Sequence, residues 1–392
     1  MRLARSATPF VMTPVLTTVL TAILTIAGAS RAHARVDVVR IGSASSVSGP
    51  GAHLGKDTEN GARLAIADLN AKGATINGKK VTWELLAEDD AGDPKQGTAV
   101  AQKLVDAKVA GVVGHLNSGT TVPASKIYFA AGIPQISPSA TTPIYTRQGF
   151  STTFRVVAND GKIGASLGRY AATTLKATRI AVIDDRTAFG QGLADEFIKG
   201  VKASGAAVTV TRQFTNDKAT DFNAILTQIK SKQPQLVFYG GMDAVAGPML
   251  KQMKALGINV TFMGGDGICS EALPKLAGDG LGEDKVYCAV AGGVSGAQEQ
   301  RFAAFVARYK EVYKMELQTY APYAYDATMV LATAMQAAKS PDPAIYLPFV
   351  GKSDYDGITG KIRFDGNGDL ADAALTLYTY RQGKQTKLTV LR

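Results

Sequence analysis

Gly114 to Pro143 reads GHLNSGTTVPASKIYFAAGIPQISPSATTP, and the fold follows from how this stretch is read. Two apolar runs, Val109 to Gly114 and Ile133 to Ser137, have the length and composition of buried strands, and each empties into a loop of Ser, Thr and small residues. Between them Val122 to Ala131 is long enough for a short helix. In a parallel α/β sheet two such strand ends lie side by side, so Asn117, Ser118 and Gly119 face the same crevice as Ser139, Ala140 and Thr141. That crevice is the candidate site.

The same grammar extends upstream. Val38 to Ala44 is an apolar run broken by Ser45, Ser46, Ser48 and Gly49-Pro50-Gly51, a third polar loop at a strand end. Ala62, Ala65, Ile66 and Leu69 then share one helical stripe between Gly61 and Asn70. Asn77-Gly78 is a reversal into the strand Val81 to Ala87, and Asp93 followed by Pro94 predicts a capped helix start. The order β-α-β-α-β-α-β argues for a parallel sheet with helices on both faces.

From Phe154 the pattern restarts, with strands at Arg179 to Ile183, Ala207 to Phe214, Leu236 to Tyr239 and Val260 to Met263 separated by helices. Two helices follow Tyr287-Cys288-Ala289, and the chain is expected to finish in hairpin-like strands Gly360 to Phe364 and Leu375 to Arg381. A second α/β unit followed by a returning tail predicts two lobes crossed by the chain several times.

At the N-terminus, Arg2 and Arg5 precede an apolar run from Phe10 to Ala29 and then Ala32-His33-Ala34. This is the pattern of a cleaved secretory signal; five Thr residues and Pro14 within the run weigh against the rival reading, a membrane anchor. Removal of residues 1–34 takes Arg2, Arg5 and Arg31 away and lowers the formal net charge from +10 to +7. The remaining cations are interspersed with acids, which speaks against a nucleic-acid partner. The only cysteines, Cys269 and Cys288, behind a secretory signal predict one disulfide.

Motifs that would carry catalysis fail in context. Gly164-Ala165-Ser166-Leu167-Gly168 matches a nucleophile elbow but falls within a helical pattern, and only His53 and His115 lie beyond the signal. Gly73 to Lys80 is one residue short of a phosphate loop, with Lys80 where the metal-binding hydroxyl belongs. Asp365-Gly366-Asn367-Gly368-Asp369 begins like a calcium loop but has Leu370 and Thr376 at the positions of the required Gly and Glu, so it reads as a tight turn. Glu88, Asp89 and Asp90 have no His or Cys nearby in sequence and read as a solvated strand end. No enzyme, cofactor or metal is expected. Neutral hydroxyls and exposed backbone N–H groups at strand ends suit holding a small polar ligand rather than reacting with it.

At these residues the chain closely resembles the periplasmic leucine/isoleucine/valine-binding proteins of ABC importers. The likeness runs from Ser48-Gly49-Pro50 through Asp89-Asp90-Ala91-Gly92-Asp93-Pro94-Lys95-Gln96, Gly114-His115-Leu116, Pro123-Ala124-Ser125 and Phe262-Met263-Gly264 to Gly368-Asp369-Leu370. It implies an α/β fold of two Rossmann-like lobes, the type I periplasmic binding protein clamshell, with a three-crossing hinge. Lobe 1 would comprise residues 35–155 and 290–365, and lobe 2 residues 156–289 and 366–392. By position, Ser118 would hold an α-carboxylate, Thr141 and the Ser139 carbonyl an α-ammonium, and Asp266 would be the acidic partner of that ammonium. Leu116, Ala140 and Phe189 would line the side-chain pocket, beside Asn117. The chain departs from the family pattern at Leu54, which lacks the usual aromatic, at Met242, which replaces a tyrosine, and at Asp266, shorter than the usual glutamate. Gly92 and Asn117 stand where relatives carry a disulfide in the first lobe, so Cys269 and Cys288 are a different pair. The implied function is a monomeric periplasmic receptor that delivers an amino acid to permease subunits. The alternative is a receptor of the same shape that reports an amino acid or amide to a signalling partner.

Overall fold

The computed structural model describes residues 9, 37–292 and 297–391; the expected signal segment otherwise lies outside them. The first sheet is built from β1 (Asp37–Ser45), β2 (Thr75–Ile76), β3 (Lys79–Asp89), β4 (Gly111–Gly114), β5 (Gln135–Ser137) and β6 (Thr153–Arg155) in the order β2-β3-β1-β4-β5-β6. All its pairings are parallel except β2 with β3, whose turn places Asn77 and Gly78 at φ 51° and 73°. These positive angles are what the Asn-Gly pair supplies at least cost. Helices α1 (Ala52–Ala71), α2 (Pro94–Asp106) and α3 (Ser118–Ala130) connect the strands. Asp93 caps α2 as expected, its carboxylate accepting from Lys95 N and Gln96 N at 2.9 Å each.

The chain then crosses to α4 (Asp160–Thr173) and a second sheet. Its strands are β7 (Arg179–Asp184), β8 (Thr209–Phe214), β9 (Leu236–Gly240), β10 (Thr261–Gly264) and β11 (Val286–Ala291), with α5 (Ala188–Ala203), α6 (Asn223–Ser231), α7 (Asp243–Ala255) and α8 (Leu273–Ala277) between them. A return follows through α9 (Ala297–Tyr313), α10 (Ala321–Ala337) and α11 (Pro343–Gly351), with α10 packed on α1 of the first lobe. The short ribbon β12 (Tyr355–Asp356) and β13 (Lys361–Ile362) precedes β14 (Leu375–Arg381) and β15 (Lys384–Leu391), which complete the second sheet as β15-β14-β11-β10-β9-β7-β8. The chain thus passes between the sheets three times.

The expected terminal hairpin is corrected in its pairing. Lys361–Ile362 pairs with Tyr355–Asp356, and Leu375–Arg381 pairs with Lys384–Leu391 instead. The strand β15 carries Lys384, Gln385, Thr386 and Lys387 on a half-exposed edge, so it lacks the apolar run that marks the buried strands. The strand β11 runs to Ala291 and pairs with both β10 and β14.

Both sheets reverse direction of winding at one strand. In the first, β1 lies between β3 and β4; in the second, β7 lies between β8 and β9. Ligands of open parallel sheets bind outside the carboxyl ends of the strands at such points. The G-x-S-x-G match lies inside α4, and Gly73 to Lys80 spans the β2–β3 turn, so neither forms the site its motif suggests.

Cys269 and Cys288 form a disulfide with Cα atoms 5.4 Å apart, joining the loop after β10 to β11 across 19 residues. Loop closure of this length is worth about 3 kcal/mol in the chain-entropy account. Cys288→Ala is accordingly expected to lower the unfolding free energy by about that amount in urea titrations without reductant. Unchanged stability would show that the bridge does not constrain the unfolded chain.

Candidate ligand-binding cleft

Helix α3 begins at Ser118, four residues before the start expected from periodicity. Ser118 and Gly119 therefore lie in its first turn, where backbone N–H groups have no carbonyl one turn back to bond with and favour an anion. Asn117 holds the N-cap position, and its side chain is turned instead to Ser46, whose hydroxyl donates to Asn117 Oδ1 at 3.2 Å. Ser118 Oγ accepts from Thr142 N at 3.3 Å, and Ser139 Oγ donates to the Leu116 carbonyl at 2.9 Å. These bonds lace the loops after β4 and β5 into one wall.

The second lobe presents Phe189 at the start of α5, Met242 just before α7, and Asp266 in a single 3₁₀ turn after β10. A Cβ on Gly267 would come within 2.8 Å of the Phe189 ring and 2.9 Å of Met242 Sδ. Only glycine lets these two side chains rest on the Asp266 turn. Seven of the expected residues, Leu116, Asn117, Ser118, Ser139, Phe189, Met242 and Asp266, line one small cavity together with Tyr320. It measures about 220 Å³ including its open mouth. A second, larger cavity continues outward past Asn117, Ser118, Phe189 and Met242 to Ser46, Ser48, Asp185 and Arg186.

Three expected residues stand behind this surface. Leu54 is buried in α1 as part of the core, and Ala140 is buried with its carbonyl accepting from Arg155 at 2.6 Å. Thr141 is fully buried, with its hydroxyl facing the carboxyl of Asp160. Asp160, the first residue of α4, donates its N–H to the Thr141 carbonyl at 2.8 Å, and its carboxyl lies beside the Thr141 hydroxyl. Burial pushes Asp160 up to about 8; the neighbouring Thr141 hydroxyl opposes this and the negative Asp266 adds to it. Burial likewise raises Asp266 to about 6, opposed by a hydrogen bond from Tyr320. Asp266 Oδ1 is unpartnered. A buried Asp266 carboxyl with one oxygen unpartnered and no cation bonded to it among the described residues makes a site that a ligand cation completes.

Tyr320 and Asp160 escaped sequence reasoning. Tyr320 sits at the N-cap of α10 in the returning tail, far from every strand end, so no loop signal marks it. Asp90, read as solvated, is fully buried: its Oδ2 lies 2.7 Å from His115 Nδ1, and His115 Nε2 lies 3.0 Å from the Tyr128 hydroxyl. This network braces β4 from beneath. Across the cleft mouth, His53 Nε2 of α1 lies 2.7 Å from Asp243 Oδ2 of α7. Burial works to lower the His53 pKa, but the bond and charge of Asp243, with Asp57 behind, hold it above the ordinary value.

Two α/β lobes, each offering its strand ends and helix starts to a shared cavity of donors and acceptors, define a clamp for a small polar ligand. The chain belongs to the periplasmic binding protein family, whose model matches residues 38–385. It is 35% identical to Leu/Ile/Val-binding protein homolog 1 of Brucella abortus over 360 residues, covering 90% of this chain and 93% of that one. It is 32% identical to the leucine-, isoleucine-, valine-, threonine- and alanine-binding protein of Pseudomonas aeruginosa, covering 93% and 95%. Among solved structures, the branched-chain amino acid transporter substrate binding protein LivJ of Streptococcus pneumoniae, in complex with isoleucine, superposes with a TM-score of 0.80 at 27% identity over 91% of this chain and 99% of that one. A solute binding protein of R. palustris in complex with benzoate shares the fold, with a TM-score of 0.77 at 20% identity over 90% and 96%.

Proposed function

We propose that this chain is the periplasmic substrate-binding component of an ABC importer and that it takes a small aliphatic α-amino acid. The observation that carries this reading is the pairing, in one cavity, of the α3 N-terminus at Ser118 with the unpartnered carboxylate oxygen of Asp266. A zwitterion needs donors at one end and a negative acceptor at the other, spaced by one carbon. Ser118 and the Gly119 N–H hold the carboxylate; Asp266, the Thr141 hydroxyl and the Ser139 carbonyl hold the ammonium. Leu116, Phe189 and Met242 meet the side chain, while Leu54 and Ala140 back the wall from within.

The relatives' names and the isoleucine in the LivJ neighbour support an aliphatic ligand. Residues 1–34 act as a cleaved secretory signal, lobe 1 comprises 35–155 with 290–365, and lobe 2 comprises 156–289 with 366–392. The mature chain is a monomer that performs no catalysis, binds no nucleic acid, and offers its closed form to permease subunits. Entry requires hinge opening, because the inner cavity accommodates little more than one water.

Isothermal calorimetry of the mature chain against the amino acids, with amides, urea and benzoate alongside, tests the reading. An aliphatic amino acid is expected to bind tightest. Binding confined to urea, amides or benzoate would overturn it.

A further inference from the structure

Tyr320 is the one residue of the inner cavity that comes from neither sheet's strand-end loops. Its hydroxyl donates to Asp266 Oδ2 at 3.0 Å and leaves Oδ1 without a protein partner. Its backbone is held by a single carboxylate that also binds its neighbours. The buried Asp57 carboxylate of α1 accepts from Gln318 N at 3.0 Å, Thr319 N at 3.1 Å, Tyr320 N at 2.7 Å and Ala321 N at 2.8 Å. Thr319 Oγ1 donates to the Cys269 carbonyl at 3.0 Å, tying the same segment to the turn that bears Asp266. Cys269 is in turn bridged to β11.

We propose that Tyr320 is the positioning residue of the cleft: its hydroxyl occupies Asp266 Oδ2 and so turns Oδ1 to face a ligand cation. The inference rests on the amino-acid reading above and adds a residue and a means of selectivity to it. A phenol beside a carboxylate acts as a donor, so it occupies one oxygen and directs the remaining lone pairs into the cavity. Seated between α1 and the second lobe, Tyr320 makes this alignment depend on the lobes being together.

The charges around Asp266 show why such a donor is needed. Asp160 from α4 faces it as a second carboxyl, Asp243 from α7 adds negative charge near Tyr320, and Tyr323 from α10 is a neutral phenol at neutral pH. Arg155, whose charge reaches Asp160, is bonded to Asp369. Without the Tyr320 bond, only the smaller pull of the Asp266 and Gly267 backbone N–H groups would oppose burial, and Asp266 would shift towards its neutral form, which offers an ammonium far less.

Tyr320→Phe keeps the ring and the Asp57 contacts and removes only the donor. Calorimetry with leucine between pH 4.5 and 8.5 should show affinity reduced about tenfold at neutral pH. The pH at which affinity falls away should rise by about one unit relative to the unsubstituted protein. A residue that merely packs would lower affinity equally at every pH, and an unchanged profile overturns the proposal. A carboxyl-carbon NMR titration of Asp266 in the ligand-free protein reads the same bond without a ligand. If the unsubstituted protein binds no amino acid, the functional reading falls by itself. An Asp266 titration that then moves upward in Tyr320→Phe still supports the positioning role, and one that stays in place refutes it.

Discussion

Asp266→Ala is expected to leave a folded protein whose affinity for leucine has fallen by about a hundredfold or more, the loss of about 3 kcal/mol that follows removal of one partner of a buried charged pair. Ser118→Ala, which removes one hydrogen bond to the ligand carboxylate and leaves the helix N–H groups in place, should cost less, about 1.5–3 kcal/mol. Stability moves the other way. Asp266 titrates at about 6 in the folded chain against an ordinary value of 3.8, so the folded state holds the extra proton between these pH values. Its contribution to stability is present below about 3.8 and is lost as pH rises through about 6. Above pH 6 the ligand-free protein therefore keeps a charge whose burial the Tyr320 bond offsets only in part, and Asp266→Ala should be the more stable apo protein there. Ligand-induced thermal protection of the unsubstituted protein should grow across the same interval. Unchanged affinity in both Asp266→Ala and Ser118→Ala would remove the site assignment.

Arg155→Ala should lower the unfolding free energy by about 3–5 kcal/mol, because it strands a buried carboxylate. Arg155 is fully buried at the end of β6 and donates to Asp369 Oδ1 at 2.6 Å, to the Ala140 and Thr142 carbonyls at 2.6 and 2.7 Å, and to Thr146 Oγ1 at 3.0 Å. Asp369 closes the Asp365–Asp369 turn, in which Asp365 Oδ1 accepts from Asn367 N and Asp369 N. Gly368, at φ 88°, allows that turn to approach the first sheet: a Cβ there would fall 2.0 Å from the Thr153 carbonyl. The pair thus joins two of the hinge crossings and fixes the loop that carries Thr141. Urea unfolding of Arg155→Ala, Asp369→Ala and an Arg155→Met/Asp369→Leu double variant measures it. Each single variant should be much weaker than the double, in which neither charge is left alone. Single variants within 1 kcal/mol of the unsubstituted protein would show that the pair does not brace the hinge.

The parts of this molecule that could be read from sequence are those where one residue type has one physical use. Strands β1, β4, β7 and β9 are apolar because both faces are covered, and the Asn77-Gly78 turn and the Asp93-Pro94 helix start follow from backbone geometry alone. The loops that gather at the cavity were legible for the same reason, since each follows such a strand. Residues that act at a distance were not. Asp57 looks like an ordinary polar position of α1 until α10 brings four N–H groups to it. Tyr320 and Asp160 enter the site only because the chain crosses between sheets, and Asp90 is buried only because His115 arrives to pair with it. The start of α3 was missed because Ser, Gly and Thr weaken the periodic signal at the turn where the ligand's carboxylate would sit.

The central claim is that the cleft grips an ammonium and a carboxylate together. Calorimetry of the mature protein at pH 7.5 tests it, with leucine set beside 4-methylpentanoate, the same carbon skeleton without the amine. Leucine should bind at least about a hundredfold more tightly, since only it meets the free oxygen of Asp266. Equal affinity for the two, or no binding of leucine or any other aliphatic amino acid, would contradict the account.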